Sequence, residues 1–227
     1  MGFQTITRLD EYAGESAVVL LATQLGLDYS PTQAKRVVAE WVEFLSAGPS
    51  PIEELRFVSR TPKRMFEALR GQTQLKILQV KWGDYEDLSA LEGMQELHTL
   101  RLAGASSVQT LSPLASLQRV RTLSLESLRR AHDLSPLGEM RSVTSLDVGG
   151  DWMSIRIAHV DSISFLRLMP QLRRLLLHTM IVDDLDYSPV LALPALDEVR
   201  VMQARGMRPS YEELTALTPW SVNGEWP

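Results

Sequence analysis

Cysteine is absent from this 227-residue chain. That excludes a disulfide framework, a zinc–thiolate site and a thiol nucleophile, and it fits a reducing compartment. Asparagine occurs only at Asn223, and lysine only at Lys35, Lys63, Lys76 and Lys81. Arginine therefore carries most of the positive charge, a bias that suits a GC-rich genome and an expected bacterial source. The longest apolar run, Ala17 to Leu27, is too short and too interrupted to span a bilayer. The opening residues lack the basic-then-apolar pattern of a secretion signal. Ile6 stands where a myristoylation motif needs Ser or Thr. The expected location is cytoplasmic, with no membrane partner. A net charge of −5 and a pI near 5.4 argue against a nucleic-acid partner, which calls for a concentrated basic face.

What the chain does contain is periodicity. An apolar fraction of 44% with 22% charged residues is ordinary for a soluble globular protein, but the leucines are not scattered. Leu88, Ser89 and Leu91 are answered by Leu111, Ser112 and Leu114, and Leu100/Leu102 by Leu123/Leu125, each at an offset of 23 residues. Pairs of apolar residues flanking one outward residue continue down the chain as Leu55/Phe57, Leu78/Val80, Leu100/Leu102, Leu123/Leu125, Leu146/Val148, Leu175/Leu177 and Val199/Val201. Alternation of this kind predicts a short strand at each pair, buried on one side. Ser112-Pro113, Ser135-Pro136 and Ser188-Pro189 should start short helical segments between strands, with serine as the cap and proline in the first turn. Thr61-Pro62 gives the same signal ahead of Met65, Phe66 and Leu69.

A fixed period with an L-x-x-L-x-L core resembles the leucine-rich repeat family, in its short-repeat bacterial and intracellular forms. The resemblance covers residues 52 to 205. It implies an α/β right-handed solenoid with a parallel sheet on the concave side. Residues 51–205 would hold about seven repeats, 1–50 a helical N-terminal cap, and 206–227 a short helical C-terminal cap and tail. In the cap, helices are expected over Leu9 to Gly26 and from Pro31 to about Ala47, covering the first rung with Tyr29 and Trp41 among their residues, and Trp220 and Trp226 of the tail are expected to plug the other end. Ser210 and Glu213 form a capping box for the last helix. One departure from the family is plain. The asparagine that usually ladders along the turn after each strand is replaced by Arg60, Gly83, Ala105, Leu128, Asp151, Met180 and Ala204.

No nucleotide-binding glycine loop, metalloprotease helix, EF-hand or nucleophile elbow is present. The four histidines share no metal-ligand spacing. The sequence reading therefore assigns no catalytic, cofactor or metal residues. It favours a non-enzymatic module that holds a protein partner on the concave face and on the loop after Val148. The middle outward column is Arg56, Gln79, Arg101, Ser124, Asp147, Leu176 and Arg200. The next is Val58, Lys81, Ala103, Glu126, Gly149, His178 and Met202, and Arg174 stands in the preceding one. A 29-residue interval between Leu146 and Leu175 puts about six extra residues after Val148, where Trp152 and Arg156 are interface types. Trp82 and Tyr85 could extend that patch. The predicted partner residues are thus Arg56, Gln79, Lys81, Arg101, Glu126, Asp147, Trp152, Arg156, Arg174, His178 and Arg200, on a monomer. The alternatives are a hydrolase built on His178 with Asp183 and Asp184, and a structural homo-oligomer.

Overall fold

Alternation at a fixed interval builds one long sheet. The computed structural model describes residues 5–151 and 156–220. Eleven strands are described: β1 (Thr5–Ile6), β2 (Ala17–Leu20), β3 (Glu54–Thr61), β4 (Ile77–Gly83), β5 (Thr99–Leu102), β6 (Thr122–Leu125), β7 (Ser145–Gly149), β8 (Ala158–Val160), β9 (Arg174–His178), β10 (Met180–Val182) and β11 (Glu198–Val201). Nine of them form a parallel sheet in the order β1-β2-β3-β4-β5-β6-β7-β9-β11, and β8 pairs with β10 in a separate two-stranded sheet. The seven predicted rungs are all present and in register. Leu55, Leu78, Leu100, Leu123, Leu146, Leu175 and Val199 are successive partners across the sheet. All seven are buried in one continuous core. Full burial of a leucine side chain is worth roughly 1.5–3 kcal/mol, and the column repeats that gain rung by rung.

The N-terminal block differs from the expected pair of helices. Only α1 (Pro31–Ser46) is helical, opened by the Ser30/Gln33 capping box. Instead of a helix over Leu9 to Gly26 there is a short 3-10 turn at Leu9–Glu11 and then strand β2. The cause is local. In Ala17-Val18-Val19-Leu20 burial alternates with a period of two, and the β-branched pair suits a pleated surface. Gly14 upstream adopts φ +100, which no helix accommodates. Pairing with β3 then satisfies the β2 backbone, so the block adds two rungs to the sheet. Trp41 is buried as expected, its indole N–H donating to Thr7 O at 2.8 Å. Gln72 ties this block to the first repeat. Its buried amide donates to Leu45 O (2.7 Å) and Gly48 O (2.6 Å), and its carbonyl accepts from Ser50 Oγ (2.6 Å).

On the other side of the core the connecting segments are short. They include α2 (Lys63–Ala68), 3-10 turns at Ser89–Leu91, Ser112–Ser116, Ser135–Glu139 and Ser164–Leu168, and the single turn α3 (Ser188–Leu191). Proline sits in the first turn where Ser-Pro predicted it, but serine does not cap. The acceptor stands two residues earlier. Asp87 Oδ1, Asp133 Oδ1 and Asp186 Oδ1 accept from the backbone N–H of Ser89, Ser135 and Ser188 at 2.8–2.9 Å. Thr110 and Ser162 do the same for Ser112 and Ser164 at 3.2 and 3.1 Å. These are Asx- and Ser/Thr-type turns, in which a short polar side chain replaces a missing backbone acceptor. They hold the three aspartates below the usual carboxylate range, chiefly through the hydrogen bonds from the serines.

The exit side of the strands, where the asparagine ladder is missing, closes by backbone contact. Ala105 N–H donates to Glu126 O (3.0 Å), Leu128 N–H to Gly149 O (3.3 Å), Gly150 N–H to His178 O (3.0 Å) and Ala158 N–H to Thr179 O (2.9 Å). Gly149 is required here: a Cβ on it would stand 1.9 Å from His178 O. At the far end α4 (Tyr211–Leu217) begins with the expected Ser210/Glu213 capping box. Trp220 bridges Val199 and meets Tyr211 edge-on, ring centroids 5.2 Å apart. Trp226 lies outside the described residues.

Candidate interaction face

The register places one residue of each outward column on every rung. Along the middle column Arg56, Gln79, Arg101, Ser124, Asp147, Leu176 and Arg200 are consecutive partners. The face is not uniform. At its first rung Arg56 is neutralised by Glu54 on its own strand. Near its last rung Arg174 donates to Glu198 on the neighbouring strand at 2.8 Å. Lys81 is exposed and Gln79 half-buried. Arg101 and Glu126 are half-buried in the middle. Burial, and secondarily the nearby Asp147, raises the Glu126 carboxyl above its ordinary value.

Four residues expected on the surface of this face are buried: Ser124, Gly149, Leu176 and His178. Ser124 Oγ donates to Asp147 Oδ2 at 3.1 Å. Asp147 Oδ1 lies 3.2 Å from His178 Nε2, whose residue is only 4% exposed. Gly149, partnered with His178 in the register, lets the strands approach closely enough to enclose the imidazole. His178 therefore backs the face instead of standing on it. Leu176 is flanked in the register by Asp147 on one side and Arg200 on the other.

The structure also separates His178 from the acids it was paired with in the hydrolase alternative. Asp183 Oδ1 pairs with His159 Nδ1 at 2.6 Å, and His159 O accepts a contact from His132 Nδ1 at 2.9 Å. The carboxylate against His178 is Asp147. Thr179 Oγ1 is 3.3 Å from His178 Nδ1. Among the described residues no three His, Asp or Glu side chains could hold a metal ion, and no helix is long and apolar enough to cross a membrane.

Of the loop after Val148, Trp152 lies outside the described residues, while Arg156 is described and exposed. The chain leaving the loop forms β8, parallel to β10, so the longer repeat adds a strand on the exit side. Tyr85 does not extend a surface patch. It is buried and stacked on Phe66 at 4.1 Å, because the turn after β4 folds inward. Trp82 is exposed, with the Arg60 guanidinium 5.8 Å from its ring centre.

Several clefts open among the described residues. One of about 790 Å³ lies at the N-terminal block, where Arg8 and Arg36 are already paired with Asp10 and Glu40. Another of about 610 Å³ lies beside Trp220, where Arg173 and Arg174 are paired with Asp197 and Glu198. A third, about 340 Å³, lies at the last two rungs between Leu176, His178, Thr179, Arg200, Met202 and Tyr211. It differs from those two in holding an arginine, Arg200, that has no ion-pair or hydrogen-bond partner among the described residues. Arg200, Leu176, His178 and Met202 were legible as column members. The part of Tyr211 was not, because it depends on how the chain returns after Gly206.

No protein-family model matches the sequence, and no curated protein sequence does either. Solved structures share the fold. The chain is similar to an internalin (inlF) from Listeria monocytogenes, with a TM-score of 0.57 and 14% identity over 92% of this chain. That match spans 54% of the internalin, about half its length. It is also similar to internalin C2 from the same organism, with a TM-score of 0.54 and 20% identity, covering 79% of this chain and 71% of that one. At such identities the likeness speaks to architecture: a leucine-rich repeat solenoid of the α/β class, with a parallel sheet and short connecting turns.

Proposed function

We propose that this chain is a non-enzymatic protein-interaction module that holds a protein partner on the outward face of the sheet, with the segment after Val148 at its edge. The observation that carries the reading is the face itself. Seven registered rungs present a fixed array of side chains in which Lys81 and Arg200 are exposed and lack partners among the described residues. Rigid strands hold such an array at little entropic cost on binding. Arginine suits an interface because its planar fork grips carboxylates and its stem packs. The internalin-like fold supports the reading by analogy of architecture.

The test is affinity purification from the source cell with the wild-type chain and with the Arg101→Glu/Arg200→Glu double variant. The expected result is loss of the captured partner with an unchanged circular dichroism spectrum. Capture retained by the double variant removes this face from consideration. A panel of esterase, phosphatase and peptidase substrates addresses the enzyme alternative: turnover that disappears in His178→Ala would overturn the reading.

A further inference from the structure

We propose that the cleft at the last two rungs receives the free C-terminal carboxylate of a partner chain that ends in an apolar residue. This deepens the reading above and rests on it. The argument begins with Arg200. The register sets Leu176 between Arg200 and Asp147. Arg200 and Asp147 therefore stand two strands apart, and no ion pair joins them among the described residues. Asp147 is in any case occupied by Ser124 and His178. The two ion pairs beside the cleft, Arg174–Glu198 and Arg173–Asp197, use up the neighbouring acids. Arg200 is left exposed at the rim with its charge unanswered.

The remaining walls say what kind of anion fits. Met202 and the Tyr211 ring, with Leu176 behind them, supply the apolar side of the cleft, Thr179, Gln203 and Arg200 the polar side, and no carboxylate lines it. Trp220 meets Tyr211 edge-on at 81°, which fixes that wall in advance. Thr179 and Gln203 supply hydrogen-bond donors at the mouth. A volume of about 340 Å³ is at the low end of ligand sites, which run roughly 300–1,000 Å³. One guanidinium with apolar surface beside it suits a monocarboxylate, held by two parallel N–H···O bonds. A phosphate would call for further cations. In a chain terminus the carboxylate and the apolar side chain leave the same carbon, so both reach one small cleft. An internal Asp or Glu offers the charge without the apolar group. The rest of a terminating peptide then extends across the outward columns towards Asp147 and Glu126.

The experiment titrates the ¹⁵N-labelled chain with acetyl-Gly-Gly-Leu as the free acid, with the same peptide as its C-terminal amide, and with free isocaproate. Amide shifts of Leu176 to Thr179 and of Met202 to Gln203 are read by NMR. The expected result is saturable shifts with the acid, binding weaker by about tenfold or more with the amide, and loss of that preference in Arg200→Gln. Tyr211→Ala should weaken acid and amide alike, by removing a wall they share. Equal binding of acid and amide, an unchanged preference in Arg200→Gln, or no shifts with the acid at about 10 mM overturns the proposal. Isocaproate binding as tightly as the peptide also overturns it, in favour of a small-carboxylate site. Failure here is separable from failure of the interaction face. Partner capture that survives Arg200→Gln but is lost in Lys81→Glu/Arg101→Glu leaves the face standing without its terminal cleft.

Discussion

The two edges of the sheet solve the same problem differently. Where the chain turns into its connecting segment, an Asp, Thr or Ser at a fixed place accepts from the N–H two residues on, at Asp87, Thr110, Asp133, Ser162 and Asp186. Where the chain leaves the strands, Thr23, Gln24 and Ser59 bridge the first rungs through their side chains, but among the later described rungs neighbouring backbones bond directly, with glycine at the tightest approach. A side-chain cap acts within three residues, so it can repeat however the rungs vary. Backbone closure depends on the next rung's path. That makes the exit side the place where this chain becomes irregular, with the added β8–β10 pair and the enclosed His178.

The sharpest way to break the contrast is Gly149→Val. With a Cβ 1.9 Å from His178 O the strands must separate, and a loss of about 4 kcal/mol or more is expected. Urea denaturation measures it, and a loss under about 1 kcal/mol would show that the exit side gives easily. Next comes the core both edges share. Leu123→Ala, at 1% exposure, should cost roughly 2–5 kcal/mol by the same measurement. Asp133→Ala tests the regular edge alone and should cost about 1 kcal/mol.

A pH titration sharpens the comparison further. The carboxyls of Asp87, Asp133 and Asp186 are lowered by the serine hydrogen bonds. Their contribution is therefore complete above the unfolded aspartate value of about 3.9 and lost as pH falls through the lower folded one. Replacing all three with asparagine keeps the acceptor and removes the titration. The triple variant should lose less stability between about pH 4 and pH 2 than the wild type does. Parallel acid limbs would mean that these turns do not matter to acid stability. Smallest of all, Arg200→Gln should leave stability within about 0.5 kcal/mol, since the native side chain has no partner among the described residues to lose.

Much of this architecture could be read from residue order, for identifiable reasons. The seven rungs were legible because a buried pair around one outward residue, repeated at a near-constant interval, admits a single arrangement. Val18, Leu20, Leu21 and Leu25 fit a helical stripe as well as a strand, and only pairing with β3 decided between them. The capping serines were misassigned because Ser-Pro is a strong local signal, whereas the acceptor at Asp87 or Asp133 is defined by the turn it closes. Of the face, Arg56, Gln79, Lys81, Arg101, Glu126, Asp147, Arg174 and Arg200 stand where the alternation put them. Ser124, Gly149, Leu176 and His178 do not: Ser124 and His178 are enclosed with Asp147, and Gly149 lies against His178, relations between rungs that alternation within one strand cannot reveal.

Gln72 carries a consequence for how the molecule opens. Its amide holds the last carbonyls of α1 from within the first repeat, so peeling that helix away would strand a buried amide and the carbonyls it serves. In a stack whose layers otherwise touch only their neighbours, such a clasp welds the first two layers into one melting unit. The molecule should come apart first from its Trp220 end, the same end that carries the cleft.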